Sequence, residues 1–253
     1  MKISLVQFNP VWELKNANMV KLTSMLEKKS ALGDLVIFPE MTLTGFTMNA
    51  TKMFEDKNSE SLKFFSRFSK SKNIHVLAGI IEKNKNNYFN SLVHFSSNGK
   101  LQQTYRKIHP FSFSDEDKYY KKGNNIVITK IKEWRIGLSI CYDLRFPELF
   151  RLYAKKNVEL IVNIANWPIN RIEHWRTLLK ARAIENQCYV IGVNRVGKDL
   201  KLNYNGNSSV FDPMGKEILA AANKEAIFST EIDLDYVKEI RERLPFLRDM
   251  RLV

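Results

Sequence analysis

Short apolar segments recur along the chain and predict that β-strands are its main element. Residues 2–8 alternate apolar with polar positions, whereas residues 35–38 are apolar throughout, as expected for a strand buried on both faces. Asn98-Gly99 is a strong signal for a hairpin turn between two such segments. The remaining predicted strands are 74–82, 88–96, 100–105, 126–130, 134–140, 160–164, 189–194, 208–211, 217–219 and 226–232.

Helical spacing occurs between several of these strands. Met19, Leu22 and Leu26 recur at the helical period within residues 15–29, and Gly33 follows as a breaker. Strands with interleaved helices predict an α/β fold in which two sheets pack together and helices cover their outer faces. Further helices are predicted at 62–72, 147–155, 172–187 and 233–243, and a turn at 212–215.

Nothing in the sequence marks an internal domain boundary. The chain contains no repeat, low-complexity tract or Pro/Gly-rich linker, so we expect one domain over residues 1–253, with a tail at roughly 244–253. A chain of 253 residues is long enough for one large core. It has no run of about 18 apolar residues, which argues against a membrane-spanning helix. The first residues lack a secretory signal pattern, so a cytoplasmic location is expected.

The net charge of +13 could attract nucleic acid or an anionic membrane surface. The basic residues are, however, spread along the whole sequence, and the densest runs, Lys28-Lys29 and Lys121-Lys122, are only pairs. We therefore favour a solvated, lysine-rich surface and expect no nucleic-acid and no membrane partner. A polyanion-binding protein is the alternative.

Two cysteines, Cys141 and Cys188, cannot build a disulfide framework, and no CxxC or HxxxH spacing predicts a metal site. Cys141 lies where a predicted strand runs into a predicted helix, and exposed N–H groups at such a position favour the thiolate. It is a candidate nucleophile, against the alternative of a buried thiol that packs as a small apolar residue. Cys188 enters a strand and is interpreted as structural.

A thiol nucleophile needs a general base and a group that stabilises the oxyanion. Among the histidines, His109 is the best placed, although a loop histidine without a catalytic role is the more common finding. Glu40 directly follows the apolar segment at 35–38, which makes it a second candidate base.

Three segments together resemble the nitrilase superfamily of carbon–nitrogen hydrolases. They are Phe38-Pro39-Glu40, Tyr105-Arg106-Lys107 and Cys141-Tyr142-Asp143-Leu144-Arg145-Phe146-Pro147, in the order of that family's Glu, Lys and Cys. Residues 165–168, 171, 175, 181–187 and 192–197 are similar to the omega-amidase branch. The resemblance implies a four-layer α–β–β–α sandwich and a covalent acyl-enzyme route that needs no metal or other cofactor.

The resemblance also implies roles for individual residues. Glu40 would take the proton of Cys141, which attacks the amide carbon. Lys107 and the backbone N–H of Tyr142 would stabilise the oxyanion. Glu116 would be a further catalytic glutamate, and this assignment depends on the resemblance alone.

Omega-amidases act on 2-oxo acid amides such as 2-oxoglutaramate, so the resemblance implies a small amide that carries a carboxylate. An arginine is the natural partner of that group, and Arg145 and Arg171 are the candidates. Arg145 could instead pair with a nearby carboxylate as part of the scaffold. Trp167 and Phe46 are candidate pocket walls.

Other interpretations within this superfamily stay open from the sequence. The chain could be a nitrilase, a carbamoyl-amino-acid hydrolase, an amide-forming half-enzyme or a catalytically inactive relative. A homodimer is expected by analogy with the superfamily.

Overall fold

The computed structural model describes residues 1–252 and is built around two six-stranded sheets. The strands of the first sheet are β1 (Lys2–Gln7), β2 (Leu35–Ile37), β3 (His75–Asn84), β4 (Asn87–Phe95), β5 (Leu101–Arg106) and β14 (Ala226–Glu231). Their spatial order is β14-β1-β2-β3-β4-β5. β1, β2 and β3 run parallel to one another, while β14, β4 and β5 pair antiparallel at the two sides.

The second sheet repeats this plan. Its strands are β6 (Ile128–Ile131), β7 (Trp134–Ile140), β8 (Leu160–Ala165), β9 (Tyr189–Asn194), β12 (Ser209–Phe211) and β13 (Glu217–Ala220). They lie in the order β13-β12-β9-β8-β7-β6, and β7, β8 and β9 are parallel. A two-stranded hairpin, β10 (Val196–Lys198) with β11 (Asn203–Asn205), follows β9.

Seven α-helices connect these strands within the described residues. They are α1 (Lys15–Glu27), α2 (Ala50–Met53), α3 (Glu60–Lys72), α4 (Glu116–Tyr119), α5 (Pro147–Lys155), α6 (Ile172–Asn186) and α7 (Leu234–Arg243). α1 and α3 cover the outer face of the first sheet, and α5 and α6 cover the outer face of the second. The two inner faces pack on each other, so the predicted four-layer α–β–β–α sandwich is confirmed.

The alternation of side chains along the strands divides the core into layers. Ile3 and Leu5 of β1 pack between the two sheets, whereas Val6 faces the α1 and α3 side. In β8, Val162 points to the inner layer and Ile161 to the side of α5 and α6. Because both faces of β8 are covered, its sequence is apolar at five of its six positions.

Several predicted boundaries differ from the structure. The last helix begins at Leu234, because the Asp233 side chain accepts the N–H of Asp235 and caps the helix. The helix predicted at 147–155 is found with the same bounds, as α5, and a 3₁₀ turn at Cys141–Arg145 separates it from β7. The hairpin of β10 and β11 and the short helices α2 and α4 were not predicted. No helix within residues 1–252 is long and apolar enough to cross a bilayer.

Candidate active site

Parallel strands bring distant residues of the chain to one edge of the sandwich. Glu40 comes soon after β2, Cys141 directly after β7, and Asn166 directly after β8. All three therefore lie at carboxyl ends of parallel strands, where ligand sites of open α/β sheets are commonly found. Gly79 of β3 lets the chain approach Glu40 closely, because a Cβ added there would lie 2.6 Å from the Glu40 Cα.

A buried ion network is centred on Lys107. Its Nζ donates to Glu40 Oε1 at 3.0 Å and to Glu116 Oε2 at 2.8 Å. All three side chains are at most 1% exposed. The Asn90 amide joins the two carboxylates, since its Nδ2 donates to Glu40 Oε1 at 2.7 Å and to Glu116 Oε1 at 2.8 Å.

The second carboxylate oxygen of Glu40 is held by the loop after β8. Glu40 Oε2 accepts the backbone N–H of Asn166 at 2.8 Å, and the Asn166 Nδ2 lies 3.3 Å from the same oxygen. The Asn166 Nδ2 also donates to the Glu40 carbonyl at 2.8 Å. Both oxygens of the Glu40 carboxylate are therefore fixed in position without contact to bulk water.

The charges in this network shift one another's titration. Burial by itself would lower the pKa of Lys107, but the Glu116 and Glu40 carboxylates raise it above the ordinary lysine value. Burial raises the pKa of Glu116; Lys107 opposes this effect and Glu40 adds to it. Lys107 is therefore a permanent ammonium at neutral pH, placed to oppose negative charge that develops nearby.

Cys141 stands at a sharp turn at the end of β7. It is partly buried, and its backbone has a φ of +47°, which is uncommon for a residue with a side chain and costs on the order of 1–3 kcal/mol. Burial, reinforced by Glu40, raises the pKa of the Cys141 thiol well above its ordinary value, although Lys107 opposes the shift. The expectation that this position favours the thiolate is wrong for the resting protein, because burial outweighs the ammonium.

Asp143 fixes the turn that carries Cys141. Its Oδ2 accepts the backbone N–H of Ile140 at 2.9 Å and the Tyr105 hydroxyl at 2.7 Å. Its Oδ1 accepts the His109 backbone N–H at 3.0 Å, and the ring Nδ1 of His109 lies 2.8 Å from it. His109 is thus tied to Asp143 and stacked on Phe146, and Glu40 is the candidate base within the buried network.

A small cavity of about 30 Å³ opens beside this network. The residues that line the cavity combine the candidate chemistry with aromatic walls, and they are Phe46, Lys107, Phe111, Ser114, Cys141, Tyr142, Arg145, Asn166, Trp167, Pro168, Arg171, Leu202 and Tyr204. Of the predicted site residues, only Glu40 and Glu116 do not line the cavity. Both accept a hydrogen bond from Lys107, which does line it.

Arg145 and Arg171 both reach the cavity without forming an ion pair with any carboxylate in residues 1–252. The Arg145 guanidinium lies 4.8 Å from the centre of the Trp167 ring and within 3.2 Å of the His174 ring nitrogen. The Arg171 guanidinium lies 5.7 Å from the Phe111 ring. The alternative scaffold pairing of Arg145 with a nearby carboxylate is therefore not found.

Sequence reasoning missed several residues of this site. Asn90 lies in the middle of β4 with no local signal, and only its contacts with Glu40 and Glu116 show its place. Tyr204 and Leu202 belong to the unpredicted hairpin region, which folds over the cavity.

The sequence matches the carbon-nitrogen hydrolase family over residues 2–242. The chain belongs to this family. It is 31% identical to a Bacillus subtilis (strain 168) protein named 2-oxoglutaramate amidase, over 98% of this chain and 97% of the other. It is 34% identical to an Escherichia coli (strain K12) protein named omega-amidase YafV, over 98% of this chain and 96% of the other.

The fold of a known carbon-nitrogen hydrolase agrees with this membership. A crystal structure of a family member from Xanthomonas campestris, which has an arsenic adduct in its active site, superposes with a TM-score of 0.95. The two chains are 33% identical, and the superposition covers 100% of this chain and 98% of the other. The nitrilase-superfamily resemblance drawn from the sequence is thereby confirmed.

Proposed function

We propose that this carbon-nitrogen hydrolase cleaves the terminal amide of small 2-oxo acid amides, such as 2-oxoglutaramate, to the acid and ammonia. The observation that supports this most is the buried Glu40–Lys107–Glu116 network, which meets Cys141 at the wall of one cavity. The names of two relatives, 2-oxoglutaramate amidase and omega-amidase, agree with it.

In the first half-reaction, Glu40 accepts the proton of Cys141 and the sulfur attacks the amide carbon. The base is needed because the raised pKa of Cys141 keeps the resting sulfur protonated. Negative charge then builds on the amide oxygen, where the Lys107 ammonium and the backbone N–H of Tyr142 stabilise it. Since Lys107 is already fixed by two carboxylates, little reorganisation is required as the charge develops.

The first half-reaction ends when Glu40 returns the proton to the leaving nitrogen and ammonia departs as the C–N bond breaks, which leaves the acyl group on Cys141 as a thioester. In the second half-reaction, Glu40, again a carboxylate, takes a proton from a water molecule that attacks this thioester. The C–S bond breaks, the acid is released, and Glu40 returns the proton to the Cys141 sulfur. Glu116 keeps Lys107 oriented throughout, through its hydrogen bond to Nζ.

The carboxylate of the substrate is held by Arg145 and Arg171. Both guanidinium groups line the cavity and have no carboxylate partner within residues 1–252, so each retains free donors for an anionic ligand. Trp167 and Phe46 form apolar walls that exclude water from the reacting groups. The same walls limit the site to small substrates.

Ammonia release by Cys141 variants tests this function. Cys141→Ala should abolish ammonia release from 2-oxoglutaramate, and Cys141→Ser should be nearly as inactive, while both keep the wild-type circular dichroism spectrum. Cys188→Ser is the matched control, because Cys188 is fully buried away from the cavity. Normal turnover by Cys141→Ala would eliminate the covalent scheme. A panel that includes a nitrile and a carbamoyl amino acid separates the amidase from the other branches.

We propose that the chain forms a homodimer through α5 and α6, which present exposed Leu152 and Ile184. Light scattering tests this interface: wild type should have the mass of a dimer and Leu152→Asp the mass of a monomer.

We propose a cytoplasmic location, because a free thiol nucleophile is best preserved in a reducing compartment. Cell fractionation tests the location, and the absence of nucleic-acid and membrane partners stays a prediction.

A further inference from the structure

The Asn166 side chain has a buried acceptor that no described group satisfies. Its Oδ1 has no hydrogen-bond partner in residues 1–252, although the residue is only 6% exposed. Leaving such an atom unpaired costs stability, so its retention calls for an explanation.

The orientation of this amide is fixed by its neighbours. The other terminal atom of Asn166 faces the Glu40 carbonyl oxygen at 2.8 Å and Glu40 Oε2 at 3.3 Å. Both of these are acceptors, so the atom that faces them must be the donating nitrogen. The unpaired atom is therefore the oxygen, and a flipped amide is excluded.

Asn166 also lies at the reacting centre. It lines the same cavity as Cys141, and its backbone N–H, which donates to Glu40 Oε2 at 2.8 Å, also lowers the pKa of the Cys141 thiol, although by less than burial raises it. Asn166, which carries this unpaired acceptor, is thus a neighbour of both the base and the nucleophile.

We propose that Asn166 Oδ1 is a further catalytic group that accepts an N–H of the scissile amide and so favours amides over esters. This inference depends on the proposed function. When the C–N bond breaks, Glu40 delivers a proton to the lone pair of the leaving nitrogen. That lone pair can face Glu40 only if the N–H bonds point elsewhere, and Asn166 Oδ1 holds one of them. Ammonia then leaves, and the acyl group stays on Cys141.

An ester of the same acid has no N–H on its leaving group. Its oxygen departs as an alcohol after the same protonation by Glu40, and it forms the same thioester on Cys141. The two substrates therefore share every later step. A difference between their kcat/KM values reports only the steps up to departure of the leaving group.

The test compares 2-oxoglutaramate with the corresponding methyl ester of 2-oxoglutarate. Asn166→Ala should lower kcat/KM for the amide roughly tenfold more than for the ester, as expected for one lost hydrogen bond. Asn90→Ala is the matched control, because Asn90 also donates to Glu40 and also has an unpaired Oδ1, but does not line the cavity. It should lower both kcat/KM values by the same factor.

Asn166→Asp covers the case in which Asn166→Ala does not fold. Burial raises the pKa of a carboxyl at this position, and its acid form can donate where Nδ2 donates and accept where Oδ1 does. This variant should keep the wild-type ratio of amide to ester kcat/KM. An unchanged ratio in Asn166→Ala, or a lowered ratio in Asn166→Asp, would overturn the assignment. Either result leaves the proposed function standing, whereas turnover by Cys141→Ala removes both.

Discussion

Replacement of Glu116 by glutamine tests whether the buried network depends on its second carboxylate. Glu116 Oε2 accepts the Lys107 ammonium at 2.8 Å and the Phe111 backbone N–H at 2.5 Å, while Oε1 accepts the Asn90 amide at 2.8 Å. Both oxygens therefore face donors only. A glutamine has one oxygen and one NH₂ group, so either orientation sets a donor against a donor.

The expected magnitude follows from these contacts. A hydrogen bond to a charged group contributes about 1.5–3 kcal/mol, and an unpaired buried donor costs about 1–3 kcal/mol. A neutral amide is easier to bury than a carboxylate, which offsets part of the loss. We expect Glu116→Gln to lower the free energy of unfolding by about 2–4 kcal/mol, measured by urea denaturation. Asp117→Asn, an exposed change on the same short helix, should alter it by less than about 0.5 kcal/mol.

The same substitution should lower the pKa of the Cys141 thiol. Glu116 raises the pKa of the Cys141 thiol and Lys107 lowers it. Because iodoacetamide reacts with the thiolate, its pH–rate profile should shift to lower pH in Glu116→Gln and to higher pH in Lys107→Gln. Peptide mapping assigns the adduct to Cys141. If Glu116→Gln is as stable as Asp117→Asn and its alkylation profile does not move, the Glu116 carboxylate has no structural or electrostatic role in the network.

Three further predictions follow from other contacts. Burial lowers the pKa of His94 from 6.5 to about 3, so the folded protein keeps this side chain neutral. Its contribution to the free energy of unfolding is therefore fully present above pH 6.5 and is lost as the pH drops from 6.5 towards 3. His94→Gln should flatten the pH dependence of urea stability by roughly 2 kcal/mol between pH 7 and 5, and the exposed His174→Gln should not. Arg145→Ala should raise KM for 2-oxoglutaramate at least tenfold but not for an amide without a carboxylate; equal effects on both would contradict its role. Gly79→Ala should reduce kcat at least tenfold by displacing the backbone of Glu40. A wild-type kcat would show that the close approach of β3 to Glu40 is not needed for catalysis.

Much of the fold could be predicted because the pattern of apolar and polar residues within a strand reflects which of its faces are buried. The apolar run at 35–38 predicted a strand covered on both faces, and β2 is covered in this way by both core layers. The hairpin of β10 and β11 was missed because its strands, Val196-Gly197-Lys198 and Asn203-Tyr204-Asn205, are short and contain neither an apolar run nor a repeated alternation of apolar and polar residues.

Some residues of the candidate site could likewise be predicted from the sequence, and others could not. Glu40 and Cys141 could be found because each follows a strong strand, and Lys107 and Glu116 because the family pattern includes them. Asn90 could not be found, since its partners are 50 and 26 residues away along the chain and meet it only after the sheet has formed. The raised pKa of Cys141 was missed for a related reason, because burial is a property of the assembled fold.

The most direct test of the central claim is the mass of the protein during turnover. Wild-type protein mixed with 2-oxoglutaramate, quenched in acid within a single turnover and digested, should show the mass of the substrate less ammonia on the peptide that contains Cys141. The adduct should be absent from Cys141→Ala and should disappear as the acid product forms. Full turnover with no adduct on Cys141, or with an adduct on another residue, would contradict the account.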